Sequence, residues 1–597
     1  MGKYCKQAKN IFREFISNMQ ISFTSKKIDI SKSNNNSKPS EEAKEQINFQ
    51  QTCIDRFPLV SYEYYVVTKN IGNPQMKKED SMQDREFIIL RDEFSKELEP
   101  KALKSNIDCW NFYINSTDEN RAEYEKSTED VYNLYKDREI YDKLMKLSEI
   151  GLQDKHLTKQ LKDLTREFDE ELNAGELKKA LRDKENEIAS KYNQYVPKID
   201  GKETSKTEIN KLLQTEKDVG LRKKAYEAKV LGGDVIADDL VELVKMRNKF
   251  AKTKGYNNFF EYNLKEGYDV ESDYLQGLLD EVYTNAKDIN EKLTKEGHKE
   301  LANEYGITPD DLRQYHYGLL LDSNPAKELN EQLETKEQVV DIAKKAYLGM
   351  GYDIDNMPIT LDLFPRKNKN THGFCFDIQA GKDARILANL TNDTSSIDTL
   401  CHELGHCVYH LGVDTDLPYL DQSETPALTE AVAMMMGDLQ QRENILQDVV
   451  SKDILDRFKS DIKKSEAKFI NRSMLIIEFE KSMYENPDQN LPQLWHDLRV
   501  KYTGANEKEE LNNEWATIPH YLSHPAYYQN YFRANLMKAQ IYNHLQKELG
   551  NITENENTAK YLEKNLFRYG LSIDENDIIE QLTGERLSSK ALCDNLR

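Results

Sequence analysis

The residues best able to do chemistry in this sequence form one string, His402-Glu403-Leu404-Gly405-His406. Two histidines four positions apart lie on one face of a helix, one turn apart, so both imidazoles can reach one metal ion. A glutamate beside the first histidine can hold the water on that ion and accept its proton. The string therefore predicts a metal-activated water, provided that the stretch is helical.

The flanking residues predict that helix. Five apolar residues recur at intervals of three and four, the spacing of one buried helix face: Ile397, Leu400, Leu404, Val408 and Leu411. Both histidines fall on a different face. Ser395 with Asp398 resembles a capping box at the start of the helix, and Gly412 is a plausible stop.

A third metal ligand is expected downstream, because a catalytic zinc site takes three protein ligands and keeps one position open. Pro426 begins a second predicted helix, which is apolar nearly all round. Glu430 lies inside it, and a buried carboxylate is costly unless it is paired or bound to a metal. Glu430 is therefore the predicted third ligand. The competing candidates are Glu424, Asp421 and His410. His410 stands one turn beyond His406, too far for the same ion, which favours a packing or orienting role.

A second group of polar residues lies near the C-terminal end. Two histidines and four tyrosines fall within 12 residues: His520, Tyr521, His524, Tyr527, Tyr528 and Tyr531. Taken alone, such a cluster is typical of an amphipathic interface. Beside a metal-activated water, neutral O–H and N–H donors would stabilise the oxyanion that forms when a carbonyl is attacked.

Residues 358–390 alternate apolar and polar side chains and predict a small antiparallel sheet, with its turn at Gly381-Lys382-Asp383. The sheet is either purely structural or offers an edge strand to an extended peptide. We expect the peptide to lie along the strand that ends at Leu390.

Composition limits the fold and the partners. The chain has 597 residues, 38% hydrophobic and 31% charged, and residues 85–300 are poor in Gly and Pro, which predicts long helices. The net charge of -22 argues against nucleic-acid and anionic-membrane partners. The seven cysteines form no C-x-x-C pair, and neither a membrane span nor a signal peptide is recognisable. A cytoplasmic location is expected.

The motif residues resemble those of a known group of peptidases. His402-Glu403-x-x-His406 with Glu430 downstream resembles the zinc peptidases of the thimet oligopeptidase and oligoendopeptidase F family. It is also similar to the angiotensin-converting enzyme family. Residues 381–386 are similar to the converting-enzyme side, whereas Trp515 to His520 with the tyrosines that follow resembles the oligoendopeptidase side.

The resemblance covers residues 85–597 and implies a mainly α-helical fold. That fold would be a two-lobed ellipsoid with a deep central channel and a small antiparallel sheet beside the H-E-x-x-H helix. The chain would divide into an extension of unassigned role with a polar linker (1–84), a helical lobe (85–345) and a catalytic lobe (346–597). Such a channel would admit short unfolded oligopeptides as substrates, with one zinc ion per chain. The resemblance implies no particular oligomeric state.

The resemblance also assigns roles. Four residues match the family's three zinc ligands and its general base, in that order: His402, His406, Glu430 and Glu403. His520 matches the histidine that stabilises the transition state. Tyr528 or Tyr531 matches the tyrosine that binds the oxyanion, and His524 and Tyr527 are the alternatives.

Two positions depart from the converting-enzyme pattern. Ile518 stands where that family has a lysine for the substrate's C-terminal carboxylate, and Met434 stands where it has an aspartate. These differences favour a metalloendopeptidase that cleaves oligopeptides internally. The alternatives are a dipeptidyl carboxypeptidase of converting-enzyme type and a non-catalytic peptide-binding protein on the same fold.

Overall fold

The computed structural model describes residues 81–173, 175–319, 321, 324–370 and 373–597. The predicted extension (1–84), with its linker at 25–50, lies outside these ranges except for its last four residues. Those four begin the first helix. The Ser81 hydroxyl accepts from the Asp84 amide at 3.0 Å, and the Asp84 carboxylate accepts from the Ser81 amide at 3.0 Å, which completes a capping box.

Helices dominate the described chain up to residue 350, as its Gly-poor, charged sequence predicts. The helices are α1 Met82–Ile114, α2 Asp118–Tyr132, α3 Arg138–Ile150, α4 Lys155–Asn173, α5 Gly175–Gln194, α6 Lys206–Thr215, α7 Val219–Asp234, α8 Ala237–Thr253, α9 Phe259–Tyr262, α10 Ser272–Tyr305, α11 Pro325–Asn330 and α12 Lys336–Met350. Two short strands, β1 (Lys198–Ile199) and β2 (Lys202–Glu203), form a hairpin between α5 and α6.

The sheet predicted before the motif is present but mixed. Its strands are β3 (Ile359–Asp362), β4 (Phe374–Gln379) and β5 (Asp383–Leu387), in the order β3-β5-β4. The β4–β5 pair is antiparallel around the predicted turn, whereas β3 runs parallel to β5. The all-antiparallel prediction is therefore wrong for β3, because the connection from β3 to β4 is long enough to cross the end of β5. Since β5 is the central strand, it offers no free edge to a peptide, contrary to our expectation.

The remaining helices carry the candidate site. They are α13 Thr394–Gly412, α14 Pro426–Gly437, α15 Glu443–Leu446, α16 Lys452–Glu485, α17 Leu491–Thr503, α18 Pro519–Ser523, α19 Tyr528–Leu549, α20 Thr558–Asn565, α21 Glu575–Thr583 and α22 Lys590–Leu596. Short 3₁₀ turns, among them Glu514–Thr517, connect several of these helices.

The described chain is mainly α-helical, as predicted, and its largest core extends from Leu181 to Leu596. Residues on both sides of position 345 contribute to this core, and α12 spans that position. The division into a helical and a catalytic lobe at 345 stays a prediction. Among the described residues, no helix combines the length and the apolar character needed to cross a lipid bilayer.

Candidate metal centre

Helix α13 presents the two histidines of the motif, and its apolar stripe is buried as predicted. Ile397, Leu400 and Leu404 have no exposed surface, and Val408 is 1% exposed. The predicted cap is wrong. The helix is capped by Asp393, whose carboxylate accepts from the Ser396 amide at 2.7 Å. Asp393 precedes Ser395 and already meets the free amides of the first turn, so the helix begins at Thr394.

The three predicted metal ligands converge. The Nε2 atoms of His402 and His406 lie 3.2 Å apart, and Oε2 of Glu430 lies 3.7 Å from His402 Nε2. Glu430 reaches the histidines because α14 packs very closely on α13. A side chain at Gly405 would place its Cβ 2.8 Å from the Ala433 Cα, so only glycine allows this approach.

The donor set fits zinc. Tetrahedral zinc with bonds near 2.0–2.2 Å separates its nitrogen and oxygen donors by about 3.3 Å, close to the distances found here. Burial lowers the pKa of His402 to about 4 and that of His406 well below its ordinary value, so both imidazoles are neutral at pH 7, the form that binds metal. Oε2 of Glu430 is buried and has no hydrogen-bond partner among the described residues. A cation would satisfy this oxygen.

Two further side chains form hydrogen bonds with the predicted ligands. The Thr429 hydroxyl lies 2.8 Å from His406 Nδ1, and the Tyr527 hydroxyl donates to Glu430 Oε1 at 3.2 Å. Metal-binding imidazoles and carboxylates commonly need such partners to fix their orientation. Our sequence reasoning missed Thr429, whose only signal is its place beside Glu430.

The side chain of Glu403, on α13, contacts the start of strand β4. Its Oε1 is 3.5 Å from the position of a Cβ on Gly373, and the Cys375 amide donates to its carboxylate. Burial, followed by the charge of Glu430, raises the pKa of Glu403 to about 8. Cys407 packs inside the core, and its Sγ contacts the Cys375 Sγ at 3.2 Å, which adds a second contact between α13 and β4.

The competing third ligands have other partners. Both carboxylate oxygens of Asp421 lie 3.0 Å from His156 Nε2, and Asp421 also accepts from Gln160 at 2.7 Å. His410 Nδ1 lies 3.1 Å from Glu424 Oε1. None of these three side chains brings a donor atom within 4.8 Å of both the His402 and the His406 nitrogens, whereas Glu430 does.

His520 lies at the centre of an aromatic cluster formed by α18 and the start of α19. Its ring centroid is 5.9 Å from Tyr527, 4.8 Å from Tyr528 and 5.9 Å from Tyr531. Burial, then the charge of His524, lowers the pKa of His520 to about 4, so its ring is neutral at pH 7. His520 Nδ1 is buried without a hydrogen-bond partner among the described residues.

The three tyrosines differ in what they contact. Tyr527, only an alternative in the sequence, is the one bonded to Glu430. Tyr531 is close enough to Glu430 and Glu403 that both carboxylates add to the rise of its pKa, which burial dominates. Tyr528 bonds Arg472 instead. The other alternative, His524, is exposed and its Nδ1 lies 2.8 Å from the Ser523 hydroxyl.

A distant arginine holds this aromatic segment in place. Arg247 on α8 is 2% exposed and donates to the carbonyls of Tyr521, at 2.6 Å, and Leu522, at 2.5 Å. Glu480 on α16 accepts from the Ala526 amide at 2.8 Å. Ala526 itself adopts a left-handed conformation with φ of 58°. The turn that presents Tyr527 therefore depends on contacts far apart in sequence.

Two protein-family models match parts of the chain. The model of peptidase family M3 matches residues 212–597, and the model named angiotensin-converting enzyme matches residues 78–315. Residues 381–386, which resemble the converting-enzyme side in sequence, lie inside the M3 match. No curated protein matches the chain.

The M3 match spans about two thirds of the chain and includes α13, α14, α18 and α19. Members of the M3 and converting-enzyme families are zinc-dependent metallopeptidases. The protein thus belongs to peptidase family M3 and is a zinc metallopeptidase.

Proposed function

We propose that the protein hydrolyses internal peptide bonds of short, unstructured oligopeptides, with one catalytic zinc ion held by His402, His406 and Glu430. The observation that carries the proposal is the convergence of two imidazole nitrogens, 3.2 Å apart, on a buried carboxylate oxygen of Glu430 that has no hydrogen-bond partner in the described part of the chain. Zinc bound there would acidify a water molecule and polarise the scissile carbonyl.

Glu403 is the proposed general base. It neighbours the first zinc ligand on α13 and lies against β4, so it can face both the water and a peptide beside that strand. The charge of a bound zinc ion would favour the ionised form of Glu403, and this carboxylate accepts the proton of the attacking water and passes it to the leaving amine.

The proposed oxyanion donors are His520 and Tyr531. His520 is neutral at pH 7, so it donates an N–H without adding charge. Tyr531 lies near both Glu430 and Glu403, as an oxyanion donor must. Tyr528, the other tyrosine predicted from the sequence, lies beside His520 but bonds Arg472, which favours a role in contacting the substrate.

The proposed peptide path follows strand β4 rather than β5. β4 is an edge strand, and its first residues adjoin Glu403, so an extended peptide could add to it. A cavity of about 760 Å³ opens at the start of α13 and is lined by Thr394, Ser395 and Arg472. Its volume suits a few peptide residues, and Arg472 connects it to Tyr528.

The direct test is the substitution Glu403→Gln, with Glu337→Gln on the exposed face of α12 as its control. The Glu403 variant should keep zinc, and its cleavage of an internally quenched peptide should fall by about 100-fold or more. The control should match the parent. Cleavage by the Glu403 variant at the parent rate would refute this role of Glu403. A parent protein without zinc and without chelator-sensitive cleavage would favour the non-catalytic alternative.

A second experiment separates internal cleavage from dipeptide release. Mass spectrometry of the products from one peptide, made with a free and with an amidated C-terminus, should show the same internal cuts in both. Ile518 supports this expectation because it offers no charge to a C-terminal carboxylate. Dipeptides released only from the free form would favour the dipeptidyl carboxypeptidase. A cytoplasmic location and the lack of nucleic-acid and membrane partners remain part of the proposal.

A further inference from the structure

Three titratable side chains outside the proposed catalytic centre meet at a second point. Asp377 comes from β4, His410 from α13, and Glu424 from the segment that leads into α14. His410 Nδ1 lies 3.1 Å from Glu424 Oε1 and 3.7 Å from Asp377 Oδ1. One donor atom from each of the three lies within 4.8 Å of the others.

This cluster holds more negative than positive charge. The side chains of His410 and Glu424 are 5% and 7% exposed, and no lysine or arginine pairs with either carboxylate within the described part of the chain. Two carboxylates therefore share one imidazole, and at the buried side chains of His410 and Glu424 an uncompensated charge is costly.

We propose that Asp377, His410 and Glu424 bind a second divalent cation of the zinc type. One imidazole nitrogen and two carboxylate oxygens are ligands that zinc accepts, and donor separations of 3.1 and 3.7 Å are near the tetrahedral value of about 3.3 Å. Asp377, whose side chain is 48% exposed, leaves room for water in the remaining position. The proposal does not depend on the proposed catalytic function.

This second ion would join the elements that position the first site. His410 lies one turn after His406 on α13, and Glu424 precedes the helix that carries Glu430. Asp377 lies two residues after Cys375, whose amide contacts Glu403. The second ion therefore stabilises the packing of β4, α13 and the start of α14 without touching the reacting atoms.

The test is a count of bound zinc after dialysis against one buffered concentration of free Zn²⁺. The wild-type chain should hold two ions. His410→Gln should hold one, and so should the double variant His402→Gln/His406→Gln, which loses the other site. Asp377→Asn changes a half-exposed residue on an edge strand and should also reduce the zinc count by one. It replaces His410→Gln as the test if that variant does not fold. The control Asp416→Asn, on a nearby exposed loop, should keep two.

The second measurement is the melting temperature of the chain with and without added Zn²⁺. Zn²⁺ added to metal-free His402→Gln/His406→Gln should raise its melting temperature, because an ion that binds only the folded chain stabilises it. The shift should vanish when Asp377→Asn is added. One ion in the wild-type chain, or none in the double variant, would overturn the second site, and the cluster would then be a protonated histidine shared by two carboxylates. An unchanged count of two in the double variant would contradict the proposed catalytic centre instead.

Discussion

The hydroxyl oxygen of Thr429 lies 2.8 Å from Nδ1 of His406, across the interface between α14 and α13. When Nε2 of His406 faces a metal, Nδ1 carries the proton and donates to this hydroxyl. Glu430, the proposed third ligand, is the next residue along α14. A single turn of α14 would therefore both complete the proposed metal centre and orient a proposed ligand on the opposite helix.

Replacing this hydroxyl should weaken metal binding. Thr429→Val keeps the shape of the side chain but removes the partner of His406 Nδ1, so the affinity for zinc should fall about 10- to 100-fold. Thr429→Ser should restore most of it. Competition with a chromogenic chelator measures both affinities. Equal affinities in the valine variant and the parent would show that Thr429 does not orient His406.

The two tyrosines near Glu430, Tyr527 and Tyr531, should differ in their effects on zinc binding and on kcat. Tyr527→Phe removes the hydroxyl bonded to Glu430, so it should weaken zinc binding about tenfold or more. Tyr531→Phe should leave zinc binding unchanged and lower kcat by about 100-fold, because it removes a donor to the oxyanion. Zinc titration and steady-state kinetics distinguish the two. If Tyr531→Phe weakened zinc binding and Tyr527→Phe lowered only kcat, Tyr531 would be the residue that supports Glu430 and Tyr527 the oxyanion donor.

Ala526 offers a stability prediction. A left-handed backbone costs a non-glycine residue roughly 1–2 kcal/mol, and glycine adopts it freely. Ala526→Gly should therefore stabilise the chain by about 0.5–1 kcal/mol, once the greater freedom of glycine in the unfolded chain is included. The fully buried, helical Ala534→Gly serves as the matched control and should destabilise the chain. Thermal melting measures both, and a lower melting temperature for Ala526→Gly would contradict the prediction.

Asp398 should make stability depend on pH. Asp398 is partly exposed to solvent, but desolvation by the surrounding protein, followed by the charge of Asp438, raises its pKa to about 6 from an ordinary 3.8. The folded chain thus holds this proton more tightly than the unfolded chain does. The contribution of Asp398 to stability therefore falls as the pH rises from about 4 to about 6, and stays low above that.

Asp398→Asn removes this pH dependence and keeps an oxygen for the bond from Gln440. The variant should melt at a higher temperature than the parent at pH 7.5, by an amount that solvent screening of the exposed Asp398 side chain reduces, with little difference at pH 4. The exposed Asp310→Asn provides the control. A difference that is the same at both pH values would show that the charge of Asp398 is not its cause.

The two helices of the candidate metal centre could be predicted because their signals are local. His402 and His406 share a face through helix geometry alone, and Glu430 stands out as a carboxylate in an apolar stretch. The same local patterns gave the β4–β5 turn. They did not give the parallel pairing of β3, because that depends on how the connection to β4 crosses the sheet.

The aromatic side of the site was only partly predictable for a related reason. His520 and the tyrosines were visible as a cluster, but which tyrosine faces Glu430 depends on the left-handed turn at Ala526. That turn is held by Glu480, and the segment before it by Arg247. No local periodicity reports on such contacts. A role for Thr429 was not predicted from the sequence, because a threonine in an apolar helix is ordinarily a packing residue.

The anchor from Arg247 to Tyr521 spans 274 residues of chain, whereas α13 and α14 are joined by residues 413–425 alone. Closing a long loop costs more entropy than closing a short one, and contacts between neighbours in sequence form sooner. The helix pair of the proposed metal centre therefore requires only a small part of the chain to be ordered. The aromatic cluster around His520 requires contacts across almost half of the chain, so we expect the proposed zinc site to form earlier in folding than the complete proposed catalytic site.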